Sequence, residues 1–231
     1  KLAERFNGDY QLELAMRYGK PTIKGALAKL KDMEQLIILP LYPQYSSAAN
    51  GSTIEKIYHE LKSCLNQPNL IVIRDFYLNV DFLKAQANVI KNNLTSSNAH
   101  ILFSYHGLPE NHLTKSGCLQ ICKGGCDFNN NNTISCYRKQ CYKTTTEITK
   151  LLNLKSDQYT TSFQSRLGKT PWIKPYTDEV LIKLRANGIT DLAISCPSFV
   201  TDCLETLEEI GMEAKAQWLA LGGDKFQLIP C

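Results

Sequence analysis

With 231 residues, 43% hydrophobic and 21% charged, the chain reads as an ordinary globular protein able to bury one large core or two small ones. Its net charge of +4 is dispersed, and the absence of a basic run or of interleaved basic and aromatic residues argues against a nucleic-acid partner. No apolar stretch has the length of a membrane span, and nine cysteines without a secretory signal point to metal binding or reactivity rather than a disulfide framework.

The opening residues, KLAERFNGDYQLELAMRYG, form an amphipathic mix with no initiator Met, as expected of a piece of a longer chain. Apolar, β-rich runs then alternate with helical patterns. Residues 36–41 predict a buried strand, 53–65 a helix, 70–73 a strand and 82–94 a helix. A strand over 101–105 is followed by a helix over 144–152, then a strand over 159–163. The spacing predicts a helix over 178–187 stopped by Gly188, a strand over 192–195, a long helix over 202–221 and a last strand over 225–229. Short, continuously apolar strands separated by helices imply an α/β fold with parallel sheets covered on both faces. No GxGxxG or GxxxxGK[ST] spacing is present, so neither a dinucleotide nor a nucleoside triphosphate is indicated. Ligands of open parallel sheets bind beyond the carboxyl ends of the strands, which selects residues 40–47, 104–109 and 197–205.

His106 falls in the second of these segments, just before Gly107-Leu108-Pro109. A neutral imidazole there can bind metal or accept a proton, while a turn histidine bonded to backbone is the plainer alternative. In the third segment Asp202, Glu205 and Glu209 are spaced i, i+3, i+7, on one helical face with no basic partner at helical spacing. Like charges so placed cost a few tenths of a kcal/mol or so per pair, acceptable where the carboxylates meet a cation or share protons. Equally, Asp202 can be an N-cap and Glu205 the reciprocal partner of a capping box. The third feature is a cysteine-rich stretch: Cys118, Cys122 and Cys126 at four-residue intervals, then Cys136 after an Asn run, with Cys141 a fifth candidate. Such a set suits Zn or an iron–sulfur cluster, although the spacing matches neither the zinc-finger nor the ferredoxin pattern, and a loop of reduced thiols is the alternative.

Six strings in order, AMRYGKP (15–21), LPLYPQYS (39–46), FSYHGLP (103–109), FQSRLG (163–168), PWIKPYTDE (171–179) and DCLETLEEI (202–210), resemble ferrochelatases from one end of the chain to the other. The resemblance implies two Rossmann-like, chelatase-type half-domains, over 1–80 and 81–231, with a porphyrin cleft between them. The implied reaction is insertion of Fe2+ into protoporphyrin IX to form haem, in the cytoplasm with peripheral contact to the inner membrane. His106 corresponds to the family's active-site histidine and Glu205 to its partner acid, both candidate Fe2+ ligands. Asp202 and Glu209 correspond to further acids leading from the metal position, a route for iron or protons. Arg17, Tyr18, Tyr42 and Trp172 correspond to porphyrin-contacting residues.

Three departures from the family pattern stand out. The chain starts where the family has its first strand and ends at Cys231, short of the family's C-terminal helix region, so the first half is expected to be incomplete. Phe76-Tyr77-Leu78 stands where many members carry a histidine, removing any outer metal site there. Residues 118–135 form an insertion, within a Cys-rich segment over 117–136. A subset of the family is thought to hold a [2Fe–2S] cluster from such a segment, which assigns Cys118, Cys122, Cys126 and Cys136 as ligands ahead of Cys141. Rival readings are a chelatase for coproporphyrin III or sirohydrochlorin, a non-catalytic iron–sulfur or haem-binding sensor, and a flavodoxin-like domain with loop thiols. Nothing in the sequence reports oligomeric state.

Overall fold

The structure is a computed structural model that describes residues 2–6, 8–118, 121 and 136–231. Two compact units result: residues 1–40 with 46–75, and residues 41–45 with 76–231.

The first unit holds a short helix α1 (Leu2–Arg5), α2 (Ile23–Lys29), strand β1 (Gln35–Ile38), α3 (Ser52–Leu61) and strand β2 (Asn69–Val72). Thr22 caps α2 by accepting the Gly25 N–H, as a β-hydroxyl at an N-cap should. The strands pair in parallel, Gln35 opposite Asn69 through Ile38 opposite Val72. A short π-helical segment (Ser47–Gly51) leads into α3. Ile23, Ile57 and Leu61 form its small core, with Leu27, Ile38 and Leu70 against them. β1 ends at Ile38, earlier than the expected 41, since Pro40 has no N–H to offer a ladder.

The second unit continues with α4 (Val80–Asn93), β3 (His100–His106), α5 (Glu110–Lys115), α6 (Tyr137–Leu151), β4 (Tyr159–Gln164), α7 (Thr177–Ala186), β5 (Asp191–Ser195), α8 (Leu204–Leu207), α9 (Lys215–Ala220) and β6 (Lys225–Leu228). Its four strands are all parallel in the order β4-β3-β5-β6. β3 is central, and its alternation supplies both faces. Ile101, Phe103 and Tyr105 join Leu83, Ala87, Ile90 and Ile148 on one side. Leu102 joins Val180, Leu181, Leu184, Leu192, Ile194, Ile210 and Trp218 on the other. Two covered faces explain why β3 and β5 read as apolar runs interrupted only by the buried Ser104 and Ser195, whereas β4 buries Thr161 and Ser162 instead.

Two helices differ from expectation. α6 starts at Tyr137, seven residues before the predicted start, because the buried face of its first turns includes Lys139 and Gln140, which give no apolar signal. The long helix expected over 202–221 is instead α8, a π-helical segment (Glu209–Ala214) and α9. Asp202 is not its N-cap. Cys203 is, and the capping box is closed by Thr206, whose hydroxyl accepts the Cys203 N–H, rather than by Glu205. The Asp202 carboxylate instead accepts from the Thr206 hydroxyl at 3.0 Å. Among the described residues no helix is long and apolar enough to cross a membrane.

Candidate active site

β3 delivers His106 to the carboxyl edge of the sheet, and the chain must turn sharply after it. Gly107 makes that turn: a Cβ there would lie 2.8 Å from the Gln164 carbonyl oxygen and 3.2 Å from the Trp172 ring. Its N–H donates to that same carbonyl at 2.8 Å, continuing the ladder with β4.

Three contacts hold His106. Its N–H donates to Ser198 Oγ at 3.1 Å, and its carbonyl accepts from Tyr137 Oη at 2.8 Å. Its ring Nδ1 lies 2.6 Å from the Gly107 carbonyl oxygen. A carbonyl only accepts, so Nδ1 carries the proton and the Nε2 lone pair of the neutral ring is left for a cation or a proton. The rings of Trp172 and Phe199 flank the imidazole, each with its centroid 6.3 Å away. Trp172 is itself pinned, donating Nε1–H to the Leu167 carbonyl at 2.9 Å.

Glu205 lies in α8, half-buried. The Cys203 thiol donates to its carboxylate and holds it below the usual carboxylate range, with help from the charge His106 can carry and against the effect of burial. Glu205 is therefore an anion at neutral pH. Glu209 is bound on several sides: it accepts from the Ser165 N–H at 2.6 Å, from Ser165 Oγ at 2.5 Å and from Gln164 Nε2 at 3.2 Å. Ser165 has φ +64°, a left-handed conformation that a non-glycine residue adopts at some cost, and its two hydrogen bonds to the Glu209 carboxylate offset that cost. The three acids do not form an unpartnered stripe.

The second unit thus brings His106, Trp172, Asp202, Glu205 and Glu209 to one sheet edge. Tyr42 is in the same unit and 38% exposed. Arg17 and Tyr18 belong to the first unit, where the Arg17 guanidinium stacks 4.7 Å from the Tyr18 ring centroid and its Nε reaches Ser52 Oγ at 3.4 Å. Of the expected thiol ligands, Cys118 is half-buried against the apolar cluster under β3 and Cys136 is buried in it. Cys122 and Cys126 lie outside the described residues. No group of three or more His, Cys, Asp or Glu side chains able to hold a metal ion occurs among the described residues. Ser198 and Phe199 fall in the segment 197–205 that the strand-end rule selects, but neither they nor Gln164 and Tyr137 were singled out from the sequence. Only the position of Ser198 and Phe199 just past β5, at the same sheet edge, offered a signal.

An imidazole, a carboxylate and flanking aromatic rings thus stand at the carboxyl edge of a parallel sheet in an α/β protein. The solved structure of SirB from Bacillus subtilis with Fe3+ has the same fold, with a TM-score of 0.61 at 14% identity over 99% of this chain and 78% of that one. In sequence, the chain is 53% identical over its whole length to the ferrochelatase of Legionella pneumophila strain Philadelphia 1, of which it covers 70%. It is 45% identical to the ferrochelatase of Coxiella burnetii strain Dugway 5J108-111, covering 66% of that protein. The ferrochelatase family profile matches residues 1–231, and the chain belongs to the ferrochelatase family.

Proposed function

We propose that this protein inserts Fe2+ into protoporphyrin IX to form haem, with His106 and Glu205 as the reacting pair. The observation that supports the assignment is the His106 ring at the end of β3, whose Nδ1 meets the Gly107 carbonyl; in this reading Nε2 serves as base or ligand. Metallation breaks two pyrrole N–H bonds and moves no electrons. Two protons leave, and the four nitrogens replace water on the iron. In this reading Nε2 accepts a pyrrole proton or holds the iron as it sheds water, and the Glu205 carboxylate takes the complementary part. Asp202 and Glu209 already accept protein hydrogen bonds, so in this reading they hold the acidic segment and add negative field for an incoming dication. Trp172 contributes a flat apolar wall beside His106, and Arg17, Tyr18 and Tyr42 are assigned to the porphyrin. Contact with a membrane surface, the source of an apolar substrate, accompanies the reading.

A [2Fe–2S] cluster on Cys118, Cys122, Cys126 and Cys136 belongs to the same proposal. The fit rests on two thiols that bracket the insert and share one apolar cluster, a dry setting suited to thiolate ligation. Such a cluster would supply a rigid cross-link and a one-electron redox centre. An anaerobic preparation without visible absorption or acid-labile sulfide sinks this part.

Anaerobic iron insertion into protoporphyrin IX, with coproporphyrin III as the competing substrate, tests the whole. Wild-type turnover on protoporphyrin that is abolished by His106→Ala, with porphyrin binding retained, is the expected result. Porphyrin binding with no metallation by the wild type overturns it.

A further inference from the structure

Gln164 ends β4, is 3% exposed, and uses both ends of its amide. Nε2 donates to the Glu205 carbonyl at 2.7 Å and to Glu209 Oε2 at 3.2 Å, with Ser165 Oγ at 3.4 Å. Oε1 accepts from Ser104 Oγ at 2.8 Å and, more weakly, from Cys196 Sγ at 3.7 Å. Chemistry fixes this orientation: the strong partners on the nitrogen side are a carbonyl and a carboxylate, and those on the oxygen side a hydroxyl and a thiol. A flip would set oxygen against oxygen.

The partners of this one side chain come from both halves of the reacting pair. Ser104 stands two residues before His106 on β3, and Gln164 is itself the register partner of His106. On the other side, Glu205 lies in a helix of four residues followed by a π-helical segment, too short to set its own position through internal hydrogen bonds.

We propose that Gln164 is a positioning residue for the reaction: its amide sets the distance between the His106 imidazole and the Glu205 carboxylate, while Glu209 and Ser165 clamp the far side of the same contact. The proposal rests on the reading that His106 and Glu205 are the reacting pair. Gln164 touches neither iron nor porphyrin. Its effect is on the geometry of the pair, and a misplacement of about 1 Å at reacting groups can cost roughly a hundredfold in rate.

Gln164→Met keeps the volume and removes every bond. Gln164→Glu keeps the shape but sets a carboxylate against the Glu209 carboxylate and the Glu205 carbonyl, with the Cys196 thiol and Ser104 hydroxyl on its other side. When protonated, it can donate to the Glu205 carbonyl again. Thr149→Val, at a buried hydroxyl of α6 outside this network, is the packing control. Anaerobic iron-insertion kinetics from pH 6 to 8, with porphyrin affinity by fluorescence quenching, provide the readout. Gln164→Met is expected to lose about a hundredfold in kcat, with porphyrin affinity little changed and Thr149→Val near wild type. The kcat of Gln164→Glu relative to wild type rises as pH falls, while that of Gln164→Met stays flat.

A Gln164→Met enzyme with wild-type kcat, or a Gln164→Glu ratio that is flat in pH, overturns the proposal. If Gln164→Met does not fold, the pH response of Gln164→Glu decides alone. Failure of the underlying reading looks different: the wild type itself does not metallate porphyrin, or His106→Ala is fully active, and either takes the proposal down with it.

Discussion

Gly107→Ala is a one-methyl test of how the sheet edge presents His106. The added Cβ would meet the Gln164 carbonyl oxygen at 2.8 Å and the Trp172 ring at 3.2 Å. Ordinary contacts to such atoms begin near 3.4 Å, so the turn has to move by about half an ångström. The Trp172 ring can give a little. The carbonyl cannot, because it belongs to β4 and accepts the Gly107 N–H itself at 2.8 Å. Overpacking costs about 1–3 kcal/mol, and a weakened ladder bond about 1 kcal/mol more. For a chain of this size a total of about 2–4 kcal/mol lowers the midpoint of thermal unfolding by roughly 4–16 °C. Since His106 precedes the shifted residue, kcat should fall by up to about a hundredfold while porphyrin still binds. Differential scanning calorimetry and anaerobic iron insertion, run on the same preparations, measure both. Enlarging the gap with Gly107→Ala/Trp172→Leu should recover little stability, as the backbone clash remains. A single variant with the wild-type midpoint and turnover would falsify the steric argument.

Other consequences follow from individual contacts. Tyr137→Phe removes the hydroxyl that donates to the His106 carbonyl; urea unfolding should show a loss of about 1–2 kcal/mol, and a variant as stable and active as wild type contradicts the anchoring role. His100 is buried, and burial lowers its pKa below that of an exposed histidine, against a smaller raising effect of Asp157. The unfolded state then binds more protons, so this contribution is complete above the ordinary histidine range and is lost as pH falls through the folded pKa. Thermal midpoints between pH 8 and 5 should decline less steeply in His100→Gln, and parallel slopes would remove His100 from the account. Thiol reactivity should divide by burial: Cys64 is exposed, whereas burial pushes the Cys141 and Cys196 thiols well above the ordinary range. Iodoacetamide footprinting by mass spectrometry should mark Cys64 in the native protein and the other two only after denaturation; early labelling of Cys196 would contradict its placement under the sheet edge.

Much of the fold was legible because burial on both faces leaves a local trace. Residues 101–103 and 192–194 are continuous apolar runs, and both belong to strands of the four-stranded sheet. The position of His106 at a strand end followed from the same run together with Gly107-Leu108-Pro109. α6 was less legible at its start, because the buried residues of its first turns include Lys139 and Gln140, and Gln140 is buried by accepting the Tyr45 N–H rather than through apolar contact. The acidic segment misled for a related reason. Asp202, Glu205 and Glu209 share a helical spacing, but Glu209 is drawn to Ser165 and Gln164, more than forty residues away in sequence, and the helix passes into a π-helical segment where it does so.

By itself, the sequence determined which residues have the chemistry: an imidazole after a buried strand, carboxylates in a short acidic run, thiols in an insert, and the ordered strings that mark the family. These are properties of residue type and near-neighbour spacing. The tertiary structure alone decided which ring nitrogen of His106 meets a carbonyl, that the Cys203 thiol donates to the Glu205 carboxylate, and that Ser198, Tyr137 and Gln164 join the site. Each of those outcomes is a hydrogen bond. A hydrogen bond is directional and short, and a partner tens of residues away exists only once the sheet has brought its strands into register.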